Sequence, residues 1–110
     1  MASQSAAQPG AARTDPVRVD PKHYKVEFEN EKVRVLRIKY GSHEKSVMHG
    51  HPDSVMVSLT GFRGKFTFPD GRTEEISTKA GETIFVAGEQ HLPENLGDTP
   101  LELILVELKG

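Results

Sequence analysis

From His23 onward, apolar residues fall at every second position, and the pattern is repeatedly broken by Gly, Pro, Asn and Asp. Tyr24, Val26 and Phe28 alternate with Lys25 and Glu27. Val33, Val35, Leu36, Ile38 and Tyr40 follow with the same spacing apart from one adjacent pair. A period of two places alternate side chains on one face of an extended chain, so both runs are predicted to be half-buried strands. Further strands are expected at 47–51, 55–60, 65–68, 72–77, 83–86 and 101–108. Pro69-Asp70-Gly71 separates two of them and is a turn by its chemistry. Pro presets φ, Asp bonds nearby backbone, and Gly accepts positive φ, so a hairpin is predicted there. No window carries a helical stripe. About eight short strands with punctuating turns predict an all-β sandwich or barrel. Val55-Met56-Val57 is apolar on both faces of its strand. One face fills the barrel, and the other needs a second sheet or a second subunit to cover it.

Residues 1–20 break this pattern. They are small or polar until Val17 and Val19, too little apolar surface to offset the entropy of ordering. They read as a disordered N-terminal arm, with 21–110 as a single barrel domain. The chain has 110 residues, which fits one domain with one core.

Charge and composition narrow the function. The formal net charge is −2. Such a surface has no general attraction for phosphate backbones or anionic lipid, so neither nucleic acid nor a membrane is an expected partner. No apolar run approaches the ~20 residues of a membrane span. The first residues lack the apolar stretch of a complete signal peptide, and a cytoplasmic location is expected. A periplasmic or secreted location is the alternative, with the arm as the remainder of an export signal. There is no Cys, which excludes disulfides, thiolate catalysis and cysteine-ligated zinc. No nucleophile elbow surrounds Ser46, Ser54 or Ser58, and no phosphate loop is present. The five His are left as the groups suited to a transition metal or to proton transfer near neutral pH.

His49-Gly50-His51 places two imidazoles on one face of a strand, about 7 Å apart along the chain. His51 is followed by an apolar strand ending at Gly61. Twenty residues after Gly61 come Gly81-Glu82, then a short apolar strand, Gly88, His91 and Asn95. This two-part arrangement resembles the cupin family. Gly41, His49, His51 and Gly61 correspond to its first motif, and Gly81, Glu82, Gly88, His91 and Asn95 to its second. The resemblance covers about 24–108. It implies a double-stranded β-helix, a jelly-roll cupin barrel of cupin-2 type, with His49, His51 and His91 as metal ligands. The chain departs from the pattern at one place. The usual Glu ligand of the first motif is missing, its slot falling on Ser54, Val55 or Met56.

The resemblance implies a divalent transition metal (Fe, Mn, Zn or Ni) and a small substrate or ligand that chelates through oxygen. Dioxygenase-like chemistry on a three-His site is the leading expectation. A non-catalytic cupin that binds a small molecule, with a degenerate or absent metal site, is the alternative. A third reading is an interaction domain whose exposed sheet pairs with another protein. A homodimer is expected from the apolar strands at 55–59 and 101–108. His23 and His43 are expected outside the site. Asn95 and Glu82 are expected to be turn residues, and Asp53 to bond local backbone. Glu89 and Glu94 flank His91 and are expected to be exposed loop carboxylates, the alternative being that one of them accepts the second ring N–H of His91 and fixes its tautomer. Met56, Phe66 and Phe85 are expected in the core.

Overall fold

The computed structural model describes residues 14–110, so 1–13 of the expected arm lie outside the described residues. One helical turn, α1 (Pro16–Val19), precedes nine strands. These are β1 (Tyr24–Glu29), β2 (Val33–Tyr40), β3 (His49–His51), β4 (Ser54–Ser58), β5 (Phe62–Thr67), β6 (Thr73–Thr78), β7 (Thr83–Val86), β8 (Glu89–Asn95) and β9 (Leu101–Leu108). They form two antiparallel sheets, one in the order β1-β2-β9-β4-β7 and the other in the order β3-β8-β5-β6. The double-sheet jelly roll agrees with the architecture expected from the alternation.

The core follows from the period of two. On β9 the inward set is Leu101, Leu103 and Leu105, in register with Tyr40, Ile38 and Leu36 of β2. Leu105 also opposes Met56 of β4. With Tyr24 these residues make one buried cluster, to which each large side chain contributes about 1.5–3 kcal/mol of apolar burial. Phe85 does not join it. Ile84 and Val86 take the inward positions of β7, so parity turns Phe85 outward, where it is 60% exposed. Phe66 is half-buried, stacked flat on His91 with ring centroids 4.4 Å apart.

The predicted hairpin is present between β5 and β6. Gly71 has φ +90°, its amide donates to the Phe68 carbonyl, and the Asp70 carboxylate accepts from the Arg72 amide. A strand at 89–95 was not predicted. The buried side of β8 carries His91, Pro93 and Asn95, so its alternation is one of burial and not of hydrophobicity. Residues 14–20, expected in the arm, also differ. Asp15 caps α1 by accepting from the Val17 amide, and both of its carboxylate oxygens take hydrogen bonds from Arg34 of β2. Pro16 is buried, and the Thr14 carbonyl accepts from the Gly50 amide. Side-chain clamps order this stretch, and such clamps leave no hydrophobic signature. No helix among the described residues is long and apolar enough to cross a membrane.

Candidate metal centre

Pairing of β3 with β8 sets His49 directly opposite His91 and His51 opposite Glu89. Residues 49 and 51 share a face, so three imidazoles from strands 40 residues apart meet at one point of the barrel wall. Ring centroids lie 4.9 Å apart for His49–His51, 5.2 Å for His49–His91 and 5.4 Å for His51–His91. One ring nitrogen from each lies within 4.8 Å of the other two. Three such points all fall within about 2.8 Å of a common centre (4.8 Å divided by √3). Metal–nitrogen bonds are about 2.0–2.1 Å, so the three nitrogens lie near the spacing that one bound ion would require.

The outward contacts decide which nitrogen faces that centre. His49 Nδ1 lies 2.9 Å from the Val47 carbonyl oxygen. His51 Nδ1 lies 2.7 Å from Glu107 Oε2, and His91 Nδ1 lies 2.8 Å from Glu89 Oε2. Carbonyl and carboxylate oxygens only accept, so each Nδ1 carries the proton and each Nε2 presents a lone pair. Among the described residues, His49 Nε2 is the one buried side-chain nitrogen or oxygen without a hydrogen-bond partner. A buried polar atom left in this way is costly unless something binds it. Burial, reinforced by the neighbouring His51, pushes the His49 imidazolium down to about 3. Burial, with His51 and His49 adding to it, pushes His91 down to about 2. Both rings are therefore neutral near pH 7. An orphaned Nε2 and three neighbouring imidazoles, each with its Nδ1 bonded elsewhere, suit a divalent transition ion.

The absent Glu ligand has a structural counterpart. Met56 points inward, 4% exposed, and lines the same cavity as His51 and His91. Two carboxylates instead stand one step back, behind the imidazoles. Sequence reasoning missed the stronger of them. Glu107 is 3% exposed near the end of the apolar strand β9, where its inward parity continues that of Leu101, Leu103 and Leu105. Its second oxygen accepts from Arg34 Nε at 2.8 Å, and Arg34 is gripped in turn by Asp15. A charged chain Asp15–Arg34–Glu107–His51 thus runs from the N-terminal turn to the cluster. The signal was available in the sequence as a lone Glu at a core parity position. Glu89, expected first as an exposed loop acid, takes the alternative role and accepts from His91 Nδ1. Glu94 lies beside Lys65, with an oxygen 3.8 Å from its ammonium.

The other expected roles are filled as follows. Asn95 is 1% exposed and ties its own turn through the Gly97 amide and Thr99 carbonyl, and it also donates to the Gly41 carbonyl. Glu82 accepts from the Lys79 amide. Asp53 accepts from the amide of Gly88, a partner distant in sequence. His43 is exposed and pairs with Asp98. His23 lies outside the cluster but is buried, its two nitrogens against Asp20 and Glu44 and its ring stacked on Tyr40. Asp20 also accepts from Ser46 Oγ, which approaches His49 Nδ1 at 3.3 Å.

The cavity inside the cluster is lined mainly by apolar groups, including Ile38, Met56, Phe62, Leu103 and Leu105, with Tyr24 and Tyr40 at one side. The two phenol oxygens share a hydrogen bond, and the Tyr24 ring meets His49 edge-on at 4.8 Å.

No family model matches the chain, and no curated protein matches it. Solved structures do. A cupin domain from Bordetella pertussis Tohama I is 24% identical with a TM-score of 0.73, covering 79% of this chain and 92% of that one. An RmlC-like cupin with a double-stranded β-helix fold from Methanocaldococcus jannaschii is 22% identical with a TM-score of 0.61, covering 82% and 84%. Bacillus subtilis oxalate decarboxylase, a protein with Mn(II) centres, is 20% identical with a TM-score of 0.58, over 72% of this chain and 22% of that one. The chain therefore has the fold of a small cupin, a double-stranded β-helix.

Proposed function

We propose that this protein is a metal-dependent, dioxygenase-like cupin. His49, His51 and His91 would hold one divalent transition ion, and a small organic substrate chelating through oxygen would occupy the adjoining cavity. The observation that carries the reading is the shared orientation of the three rings. Each Nδ1 is committed to an acceptor, which leaves the three Nε2 atoms free to bind an ion where the rings come together. The Mn(II) centres of the oxalate decarboxylase of the same fold support it.

A bound ion supplies Lewis acidity or dioxygen activation. The chain's own groups do the rest. Glu107, Glu89 and the Val47 carbonyl hold the protons on Nδ1 and fix the ring planes. Phe66 and Tyr24 wedge the rings of His91 and His49. Apolar walls exclude water from the cavity and strengthen electrostatic interactions within it. An ion held by these three residues would keep positions open for a bidentate substrate.

Metal analysis after reconstitution tests the reading, with His49→Ala and His91→Ala alongside. About one equivalent of iron or manganese in the wild type, and loss in both variants, is expected. Less than about a tenth of an equivalent would overturn it. Oxygen uptake across a panel of small enols, diketones and carboxylates tests turnover.

A second reading, a binding cupin without turnover, is favoured by the inward Met56 and the lack of a carboxylate among the converging ligands. It predicts a ligand that raises the melting temperature equally with and without metal.

A further inference from the structure

Asp20, Ser46 and His23 make a second buried polar group, and none of the three lines the cavity. Ser46 Oγ donates to Asp20 Oδ2 and lies 3.3 Å from His49 Nδ1. His23 Nδ1 meets the same Asp20 oxygen at 2.7 Å, and His23 Nε2 meets Glu44 Oε1 at 2.9 Å. The His23 ring stacks flat on Tyr40, with 4.3 Å between centroids. Backbone bonds hold both ends of the chain of contacts. The Asp20 amide donates to the Pro16 carbonyl at the end of α1, and the Ser46 amide to the Pro93 carbonyl of β8. Asp20 is 8% exposed, and a carboxylate so placed has a desolvation cost that an apolar side chain would avoid.

The order of donors gives that carboxylate a use. A carboxylate only accepts, and Ser46 has one hydroxyl proton to give. Asp20 takes that proton, so His49 meets the lone pairs of Ser46 Oγ. His49 Nδ1–H then has two acceptors, the Val47 carbonyl at 2.9 Å and Ser46 Oγ at 3.3 Å. A hydroxyl turned the other way would set a donor against Nδ1. It would favour the tautomer with its proton on Nε2, which has no lone pair there for an ion. We propose that Asp20 is a positioning residue for His49 and acts through Ser46, as Glu107 acts directly on His51 and Glu89 on His91. His23 keeps the Asp20 carboxylate turned toward Ser46. The inference rests on the metal-binding reading above. Neighbouring contacts agree with it. Asp15 reaches His51 through Arg34 and Glu107, and the Thr14 carbonyl accepts from the Gly50 amide between the two ligands. Residues 14–23 thus grip the back of His49-Gly50-His51 at three points.

Cobalt(II), titrated into the full chain against a chromophoric chelator, reads the effect on affinity. Asp20→Ala and Ser46→Ala should each weaken binding by about 5-fold or more. Their double variant should be no weaker than Ser46→Ala alone, within about twofold, because both remove one path. Asp20→Asn can keep an oxygen against Ser46 and should recover most of the loss. Asp98→Asn, on an exposed pair with His43, should change nothing. Ring nitrogen chemical shifts of His49 in the metal-free chain read the tautomer. The proton should sit on Nδ1 in the wild type, and an Nε2-protonated form should appear in Asp20→Ala. Cobalt affinity within about twofold of wild type in Asp20→Ala would overturn the proposal. So would additive losses in the double variant, the mark of a general effect on stability. A wild type that takes no cobalt would overturn the metal reading instead. The tautomer would then decide the positioning role, and an unchanged tautomer in Asp20→Ala would overturn it. Should Asp20→Ala not fold, Asp20→Asn replaces it in the cycle. A smaller loss is then expected, and it must vanish on the Ser46→Ala background.

Discussion

Three imidazoles share one buried space here, and each keeps its proton on the nitrogen that faces outward. The two carboxylates behind them differ in setting. Glu107 has a side chain 4% exposed and bonds Arg34 as well as His51, whereas the Glu89 side chain is 31% exposed. Electrostatic interactions gain strength away from water. Glu107→Gln is therefore expected to weaken metal affinity by about 10–100-fold, with Glu89→Gln weakening it less. Competition against a chromophoric chelator measures both, and equal losses would contradict the ranking. A second expectation concerns protons in the metal-free protein. His49 and His91 are held at about 3 and about 2, below the ordinary 6.5 of the unfolded chain. Below pH 6.5 the unfolded chain takes up protons that the folded site refuses. The stability from these two groups is complete above pH 6.5 and is lost as the pH falls toward 3. The urea midpoint should drop between pH 7 and pH 4, and more shallowly in His91→Asn.

The elements place the site through pairing. β3 is only three residues long, and its register with β8 is what sets His49 against His91. Gly88 stands beside this pair, where an added Cβ would lie 3.2 Å from the His51 carbonyl oxygen, so the approach of the two strands is tight. Two changes test how firmly elements are held. Gly71→Ala forces a side chain onto φ +90° and should destabilise by about 1–2 kcal/mol, read from urea unfolding. Asp15→Ala removes both the cap of α1 and the clamp on Arg34. It should cost about 1–2 kcal/mol and speed amide exchange in 16–20, with β9 left protected.

For the whole molecule, the centre bridges the inner ends of both sheets, because His51 leans on Glu107 of one sheet while projecting from the other. A ligand bound at that seam stabilises only the folded state. Metal at about 100-fold over its dissociation constant should add about 2.7 kcal/mol. For a domain near this size that corresponds to a rise of roughly 10–20 °C in melting temperature. A chelator should reverse it, and His91→Ala should abolish the response.

The alternation of residues along β1, β2, β4 and β9 was enough to establish an all-β barrel and most of its core, because burial of one face imposes a period of two. His49, His51 and His91 stood out by their spacing and by the resemblance of two motifs. Three things lay beyond the sequence. β8 hid because its inward face is polar, so its strand character came from pairing and not from hydrophobicity. Glu107 lies 73 residues from Arg34 and 92 from Asp15 in the chain, and only the closing of the barrel brings them together behind His51. The protonation of each ring was likewise decided by tertiary contact, since the partner of Nδ1 determines which nitrogen presents a lone pair. Sequence patterns report which face is buried, and long-range approach alone determines which groups then meet.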